Sequence, residues 1–333
     1  MHTESPTAAQ HRDLSTPVAP HFNPTAGPIA VLPREKDVFV DAVHAAGGEV
    51  APLSADTRGI VWLTYGKSEE LSSALDNNPG IQWVQLPWAG VDAFAPLLAH
   101  YADRTDLLFT SAKGAYSEPV AEHALALTLA TLRELPQKSH ATSWATTSTG
   151  TSLYGLNVVV VGAGGIAIEI LRLLAPFRPS ITVVRRSTEP LEGADRTVTA
   201  ASLGEVLPDA DVVILAAAST NDTRHLLGAA EFAAMKPSAV VVNIARGPLI
   251  DTDALAVALA AGEIAGAGLD VTDPEPLPDG HALWNEPRCI ITSHSADTPE
   301  MTAPLLAGRI TRNVEAFLAG GDFTGIVDPR AGY

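Results

Sequence analysis

The chain has 333 residues, 46% of them hydrophobic and 18% charged, which is enough for two domains with sizeable cores and too apolar for global disorder. A formal net charge of −17 opposes nucleic acid and anionic membranes, and neither a basic run nor an apolar stretch long enough to span a bilayer is present. One cysteine, Cys289, allows no internal disulfide and no cysteine metal cluster, which fits a reducing, cytoplasmic setting.

Residues 1–24 are rich in Thr, Pro, Ala and His and lack the basic-then-apolar order of a secretory signal. They read as a mobile tail. From Pro28 to Ala112 strand-like and helix-like pieces alternate. Strands are expected at Ile29–Leu32, Gly59–Tyr65, Ile81–Leu86 and Leu107–Phe109, with a helix over Glu35–Ala46 ended by Gly47-Gly48. Strands separated by helices imply a parallel sheet with crossovers.

A long helix is expected from Ser117 to Leu135, with Ser117 as cap and Pro119 in the first turn. Val120, Ala124, Leu125, Leu127, Leu129 and Leu132 spread its apolar surface around the circumference, so it is expected to be buried on more than one face, in part by a second subunit. Lys138–Thr151 reads as a polar loop or extended arm.

The next segment, Val158-Val159-Val160-Val161-Gly162-Ala163-Gly164-Gly165-Ile166-Ala167, is a buried strand running into a G-x-G-x-x-A turn that opens a helix. Gly162 permits the tight turn, Gly164 lets the backbone approach a pyrophosphate, and Ala167 lets helix and strand pack closely. The helix N-terminus offers N–H groups and a positive dipole end to phosphates. Further strands are expected at Ile181–Val184, Asp211–Leu215, Ala239–Asn243, Ala265–Leu269 and Cys289–Thr292. Helices are expected at Ala167–Leu174, Leu226–Met235, Thr252–Ala261 and Pro299–Leu318. Together these describe a doubly wound nucleotide-binding domain.

Three polar residues fall near strand ends in that domain, where open α/β sheets bind ligands. Arg246 can hold a carboxylate and the neighbouring keto oxygen through its planar fork. His294 can move a proton on and off that oxygen, and Glu275 can orient the imidazole and stabilise its charged form. Taken singly, each is more often a turn residue, a surface charge or a half-buried histidine. Taken together behind a dinucleotide motif, they point to hydride-transfer chemistry.

Several motifs in fixed order carry a family resemblance: Val84-Gln85-Leu86-Pro87-Trp88-Ala89-Gly90-Val91-Asp92, Val120-Ala121-Glu122-His123, the glycine turn, Val242-Asn243-Ile244-Ala245-Arg246-Gly247-Pro248-Leu249-Ile250-Asp251, Gly268-Leu269-Asp270-Val271 with Glu275-Pro276-Leu277-Pro278, and Ile291-Thr292-Ser293-His294. From about Ile29 to Gly325 the chain resembles the D-isomer-specific 2-hydroxyacid dehydrogenases, which include glyoxylate/hydroxypyruvate reductases, D-lactate dehydrogenases and phosphoglycerate dehydrogenases. The resemblance implies two Rossmann-like parallel-sheet domains with the active site in an interdomain cleft. A discontinuous, flavodoxin-like substrate domain would comprise residues 25–118 plus 297–333, and a dinucleotide-binding Rossmann domain residues 119–296. It also implies Arg246, Glu275 and His294 as catalytic residues and a substrate-carboxylate loop at Trp88, Ala89 and Gly90. The implied cofactor contacts are Gly162, Gly164, Gly165, Ile166, Ala245 and Asp270, with Asp270 at the nicotinamide amide. The helix and arm after residue 118 resemble those that build a homodimer in the family.

Two departures stand out. Ser293 replaces the proline often found before the catalytic histidine. Arg185, Arg186 and Ser187 stand where NAD-preferring members carry an acid for the ribose hydroxyls, and they would welcome a 2′-phosphate. NADP(H) is therefore favoured, with NAD(H) as the alternative. The expected partner is a small 2-oxo or 2-hydroxy acid, and Trp88 and Tyr116 would wall its pocket. Competing readings are a nicotinamide-sensing binding protein of the same fold and phosphoglycerate dehydrogenase. The short tail after the last helix and the lack of an evident basic cluster for a substrate phosphate speak against the second.

Overall fold

A computed structural model of the chain describes residues 11–330. They form two compact α/β units. One runs to Tyr116 and resumes at Thr298, and the other is continuous over Ser117–Asp297.

The first unit is built on four parallel strands, β1 (Ile29–Leu32), β2 (Gly59–Trp62), β3 (Trp83–Gln85) and β4 (Leu108–Thr110), in the order β1-β2-β3-β4. All are short apolar runs, as expected of parallel strands covered on both faces. Val50 adds a one-residue parallel bridge to Ile29. Counting that crossing, the spatial order is the flavodoxin-like 2-1-3-4-5. Helices Ser68–Asn77 and Ala95–His100 join the expected one at Asp37–Ala45. The helix Pro299–Ala319 returns to pack on Asp37–Ala45. Its buried Asn313 donates to Gln85 Oε1 (2.7 Å) and the Thr324 carbonyl (3.0 Å), and accepts from the Thr324 N–H (2.8 Å).

The expected mobile tail is corrected in its described part, and residues 1–10 lie outside the described residues. Arg309 is fully buried, and Asp13 supplies its counter-charge at 2.9 Å. Arg309 also donates to the Lys113 carbonyl (3.0 Å), the Ser15 hydroxyl (2.6 Å) and the Ser111 carbonyl. Val18 pairs antiparallel with Phe323. The physical reason is that a buried guanidinium must be paired. Burial lowers the Arg309 pKa while Asp13 raises it.

The second unit carries seven parallel strands: β5 (Asn157–Val161), β6 (Ser180–Val184), β7 (Arg196–Val198), β8 (Val212–Leu215), β9 (Val240–Asn243), β10 (Gly266–Leu269) and β11 (Cys289–Ile291). Their order is β11-β10-β9-β8-β5-β6-β7. The winding reverses between β5 and β8, the switch point beside which such sheets bind dinucleotides.

The long helix spans Ser117–Leu132, three residues shorter than expected. Pro136 would clash with the carbonyl of Leu132 in a continued helix, and that carbonyl instead accepts the Thr151 N–H (2.7 Å). A short helix, Leu135–Ser139, follows after Glu134 in a left-handed conformation. Much of the all-round apolar surface is covered within the chain, by β9, β10 and the helix Gly165–Leu174. Glycines make that contact close: a Cβ at Gly268 would lie 2.9 Å from the Leu127 Cβ, and one at Gly266 2.7 Å from a Thr131 methyl. Gly268→Val should therefore destabilise the chain by about 1–3 kcal/mol through overpacking. A urea midpoint equal to that of the parent chain would refute this account of the helix contact.

Candidate active site

Strands β9, β10 and β11 end side by side, with Asn243 opposite Leu269 and Leu269 opposite Ile291. Arg246 lies three residues past Asn243, Asp270 directly follows Leu269, and His294 lies three residues past Ile291. Neighbouring strands are spaced by about 4.8 Å, so these residues leave one sheet edge within a short span.

His294 Nδ1 lies 2.6 Å from Glu275 Oε1. An ionised carboxylate only accepts, so the proton sits on Nδ1 and Nε2 is left to gain or lose one. The two side chains are 49% and 43% exposed. An ion pair that exposed contributes about 0–1 kcal/mol to stability. His294 and the preceding Ser293 both have positive φ, 55° and 50°. Each non-glycine residue in that region costs about 1–3 kcal/mol, and such strain concentrates at functional sites.

Asp270 explains how the strain is held. Its carboxylate, 1% exposed, accepts from the Thr292 hydroxyl (2.6 Å), the Ser295 N–H (2.8 Å) and the Ala296 N–H (3.2 Å). Its carbonyl accepts the His294 N–H at 2.6 Å. The expected role for Asp270 was a nicotinamide contact; in the structure its carboxylate is already engaged in shaping the loop that bears His294. His123 Nε2, on the helix Ser117–Leu132, stands 2.9 Å from the Thr292 hydroxyl. Sequence reasoning gave no role to His123 or Thr292. The Val-Ala-Glu-His and Ile-Thr-Ser-His motifs contained both letters, but nothing in them shows that they meet.

On the β9 side, Asn243 shapes the turn that carries Arg246. Its Nδ2 donates to the Arg246 carbonyl (2.9 Å), and its Oδ1 accepts the Ala245 N–H (3.1 Å). Arg246 Nη1 donates to the Ala245 carbonyl at 2.7 Å. Gly247 then touches the next loop so closely that a Cβ would fall 1.8 Å from the Thr272 carbonyl oxygen. Only glycine permits this approach, which fixes the Arg246 turn against the segment leading to Glu275.

The dinucleotide turn fits its group. A Cβ at Gly162 (φ 122°) would lie 2.4 Å from the Ala216 carbonyl, whereas one at Gly164 would meet nothing within 4 Å. The open side at Gly164 faces the start of the helix Gly165–Leu174, which has no side-chain cap. The N–H groups of Gly165 and Ile166 find no acceptor among the described residues. Ala167 is fully buried. Past β6, the Arg185 N–H continues the ladder to Val198 (2.9 Å), and the Ser187 hydroxyl is shielded from solvent without a partner among the described residues.

In the first unit, the loop after β3 is organised by aromatic edges. Trp88 stands edge-on to Tyr65 (6.3 Å) and to Tyr116 (6.1 Å), and the Tyr116 hydroxyl donates to the Pro87 carbonyl (2.8 Å). The N–H groups of Ala89 and Gly90 have no acceptor among the described residues, which suits an anion.

Asp297 closes the second unit three residues past His294. It is half-buried, and its carboxyl has no hydrogen-bond partner among the described residues. Burial pushes its pKa up from 3.8 to about 6, with His294 lowering it and Asp270 raising it. The folded chain therefore binds a proton here that the unfolded chain has released, and stability falls as pH rises through that window. Asp297→Asn removes the penalty. Its Tm should exceed that of the parent at pH 8 and match it near pH 4; a gain independent of pH would refute the assignment.

Residues 124–296 match the family model for the NAD-binding domain of D-isomer specific 2-hydroxyacid dehydrogenases. The chain is 40% identical to an uncharacterized protein in the proB 3′ region of Corynebacterium melassecola, over 76% of this chain and 84% of that one. It is 32% identical to glyoxylate/hydroxypyruvate reductase B of Escherichia fergusonii, over 80% of this chain and 84% of that one. A D-isomer specific 2-hydroxyacid dehydrogenase from Xanthobacter autotrophicus Py2, solved in complex with NADPH and MES, superposes with a TM-score of 0.77 at 26% identity, covering 93% of this chain and 100% of that one. The chain belongs to the D-isomer specific 2-hydroxyacid dehydrogenases, oxidoreductases that act on CH–OH donors with a nicotinamide cofactor.

Proposed function

We propose that the chain interconverts a small 2-oxo acid, of the glyoxylate or hydroxypyruvate class, with its D-2-hydroxy acid, preferring NADP(H) to NAD(H). The observation that carries the reading is the His294–Glu275 pair on a strained loop at the sheet edge. A bound nicotinamide supplies or accepts the hydride. Arg246 of the second unit holds a substrate carboxylate and polarises the keto oxygen, and the Ala89 and Gly90 N–H groups of the first unit offer a loop suited to a carboxylate. His294 Nε2–H donates its proton to the oxygen as negative charge develops there, and Glu275 stabilises the charged imidazole. In oxidation the neutral Nε2 removes the same proton.

The aromatic packing of Trp88 between Tyr65 and Tyr116 supports a small substrate, because a bulky rigid ring next to the carboxylate loop limits side-chain length. Arg185, Arg186 and the unpartnered Ser187 hydroxyl support a 2′-phosphate. The exposed arm Lys138–Ser152, with Trp144 96% exposed, supports a homodimer in which a second copy covers that ring.

His294→Gln should lower kcat by about 10²–10⁴-fold while NADPH affinity stays within twofold. Normal turnover in that variant would remove His294 from the reaction. Reduction, which uses a proton donor, should slow in alkali, and oxidation, which uses a proton acceptor, should slow in acid, as initial rates across pH will show. Arg185→Asp should raise KM for NADPH about 10–100-fold, the weight of one charge-assisted phosphate contact. Rates with glyoxylate, hydroxypyruvate, pyruvate and phenylpyruvate against NADPH and NADH test substrate and cofactor together; preference for phenylpyruvate or for NADH would overturn that part of the reading.

A further inference from the structure

The helix Ser117–Leu132 carries an imidazole that the proposed reaction does not use. The His123 side chain is 21% exposed and reaches over the end of β11, with Nε2 2.9 Å from Thr292 Oγ1 and 3.5 Å from Asp270 Oδ1. A hydroxyl has one proton to give. Thr292 spends it on Asp270 Oδ1 at 2.6 Å, so the bond to His123 must run the other way. Nε2 of His123 therefore bears a proton and donates it to Thr292. The chain of bonds continues from Asp270 to the N–H groups of Ser295 and Ala296, and the Asp270 carbonyl receives the N–H of His294.

We propose that His123 is a positioning residue for His294: its Nε2–H polarises Thr292, and the Thr292–Asp270 bond holds the left-handed turn at Ser293 and His294 that aims the imidazole. The inference rests on the proposed role of His294, whereas the loop it describes can be observed without any reaction. The geometry supports it in three ways. The turn is strained, so it needs bonds from outside itself. The Asp270 carboxylate is nearly excluded from water, where hydrogen bonds polarise one another along a chain. Gly266 and Gly268 let the helix sit close enough on β10 for His123 to reach. The other titratable groups about this relay are Glu275, bonded to His294, and Asp297, which interacts electrostatically with both His294 and Asp270.

The experiment compares the parent with His123→Leu, which removes the donor, and His123→Gln, whose side-chain amide can replace Nε2–H. Thr292→Val breaks the relay at its middle and guards against a helix substitution that fails to fold. Two readouts are taken: steady-state kinetics with NADPH binding, and amide hydrogen exchange over residues 292–297. His123→Leu and Thr292→Val should each lose about tenfold in kcat, the effect of one bond in a charge-assisted network, with NADPH affinity within twofold. Exchange at Ser295 and Ala296 should accelerate in both. His123→Gln should return kcat to within threefold of the parent and restore protection. Parent-like kcat and exchange in His123→Leu would overturn the proposal, as would a His123→Gln variant no better than His123→Leu. If the parent turns over no 2-oxo acid, the proposed function fails, while the exchange data still decide whether His123 holds the loop.

Discussion

The carboxylate of Asp270 is the constraint on which the site depends. It ends β10 in a place nearly closed to water, where an unpaired charge is untenable. The chain after β11 wraps it with a hydroxyl and two N–H groups. Hydrogen bonds to a charged group contribute about 1.5–3 kcal/mol each, so three are of the size needed to offset two left-handed residues at about 1–3 kcal/mol each. The imidazole of His294 ends up at the sheet edge because the loop beneath it is folded around a buried anion. Glu275, reaching from the loop after β10, then needs only one short bond to set the tautomer.

Close backbone approach does similar work elsewhere in the second unit. Gly162 seats the dinucleotide turn against Ala216, Gly247 seats the Arg246 turn against Thr272, and Gly268 seats the long helix against β10. Each is a position where a methyl group would push apart two closely packed elements. The sheet edge is thus assembled from rigid strands and contacts with little slack, which suits a reaction in which donor and acceptor carbons must meet at fixed distance.

Much of this was legible in the sequence for physical reasons. The four-valine run before Gly162 must be a buried strand, and small residues in a G-x-G-x-x-A turn leave few alternatives. The strands at Ile29–Leu32 and Val240–Asn243 were likewise visible as short apolar runs between turns. Strand β7 was not: Arg196 and Thr197 lie at a sheet edge and carry no apolar pattern. The helix Ser68–Asn77 shows only Leu71, Ala74 and Leu75 to the core, too few to announce a period. The catalytic candidates could be named from residue type and order, but their support could not. The bonds from His123 to Thr292 and from Asn243 to Arg246 depend on where loops fold back, and the pairing of Asp13 with Arg309 joins residues 296 positions apart. Composition alone gave the stretch around Asp13 no sign of a docked strap.

That last pairing has a consequence for synthesis on the ribosome. The second unit is one uninterrupted stretch, so all of its strands are synthesised before the helix Pro299–Ala319. The first unit is in the opposite position. Its sheet is made early, but Gln85 must wait for Asn313 and Asp13 must wait for Arg309. The nascent chain thus carries an unfinished amino-terminal sheet while a finished nucleotide-binding unit forms behind it, and the earliest residues lock into place among the last.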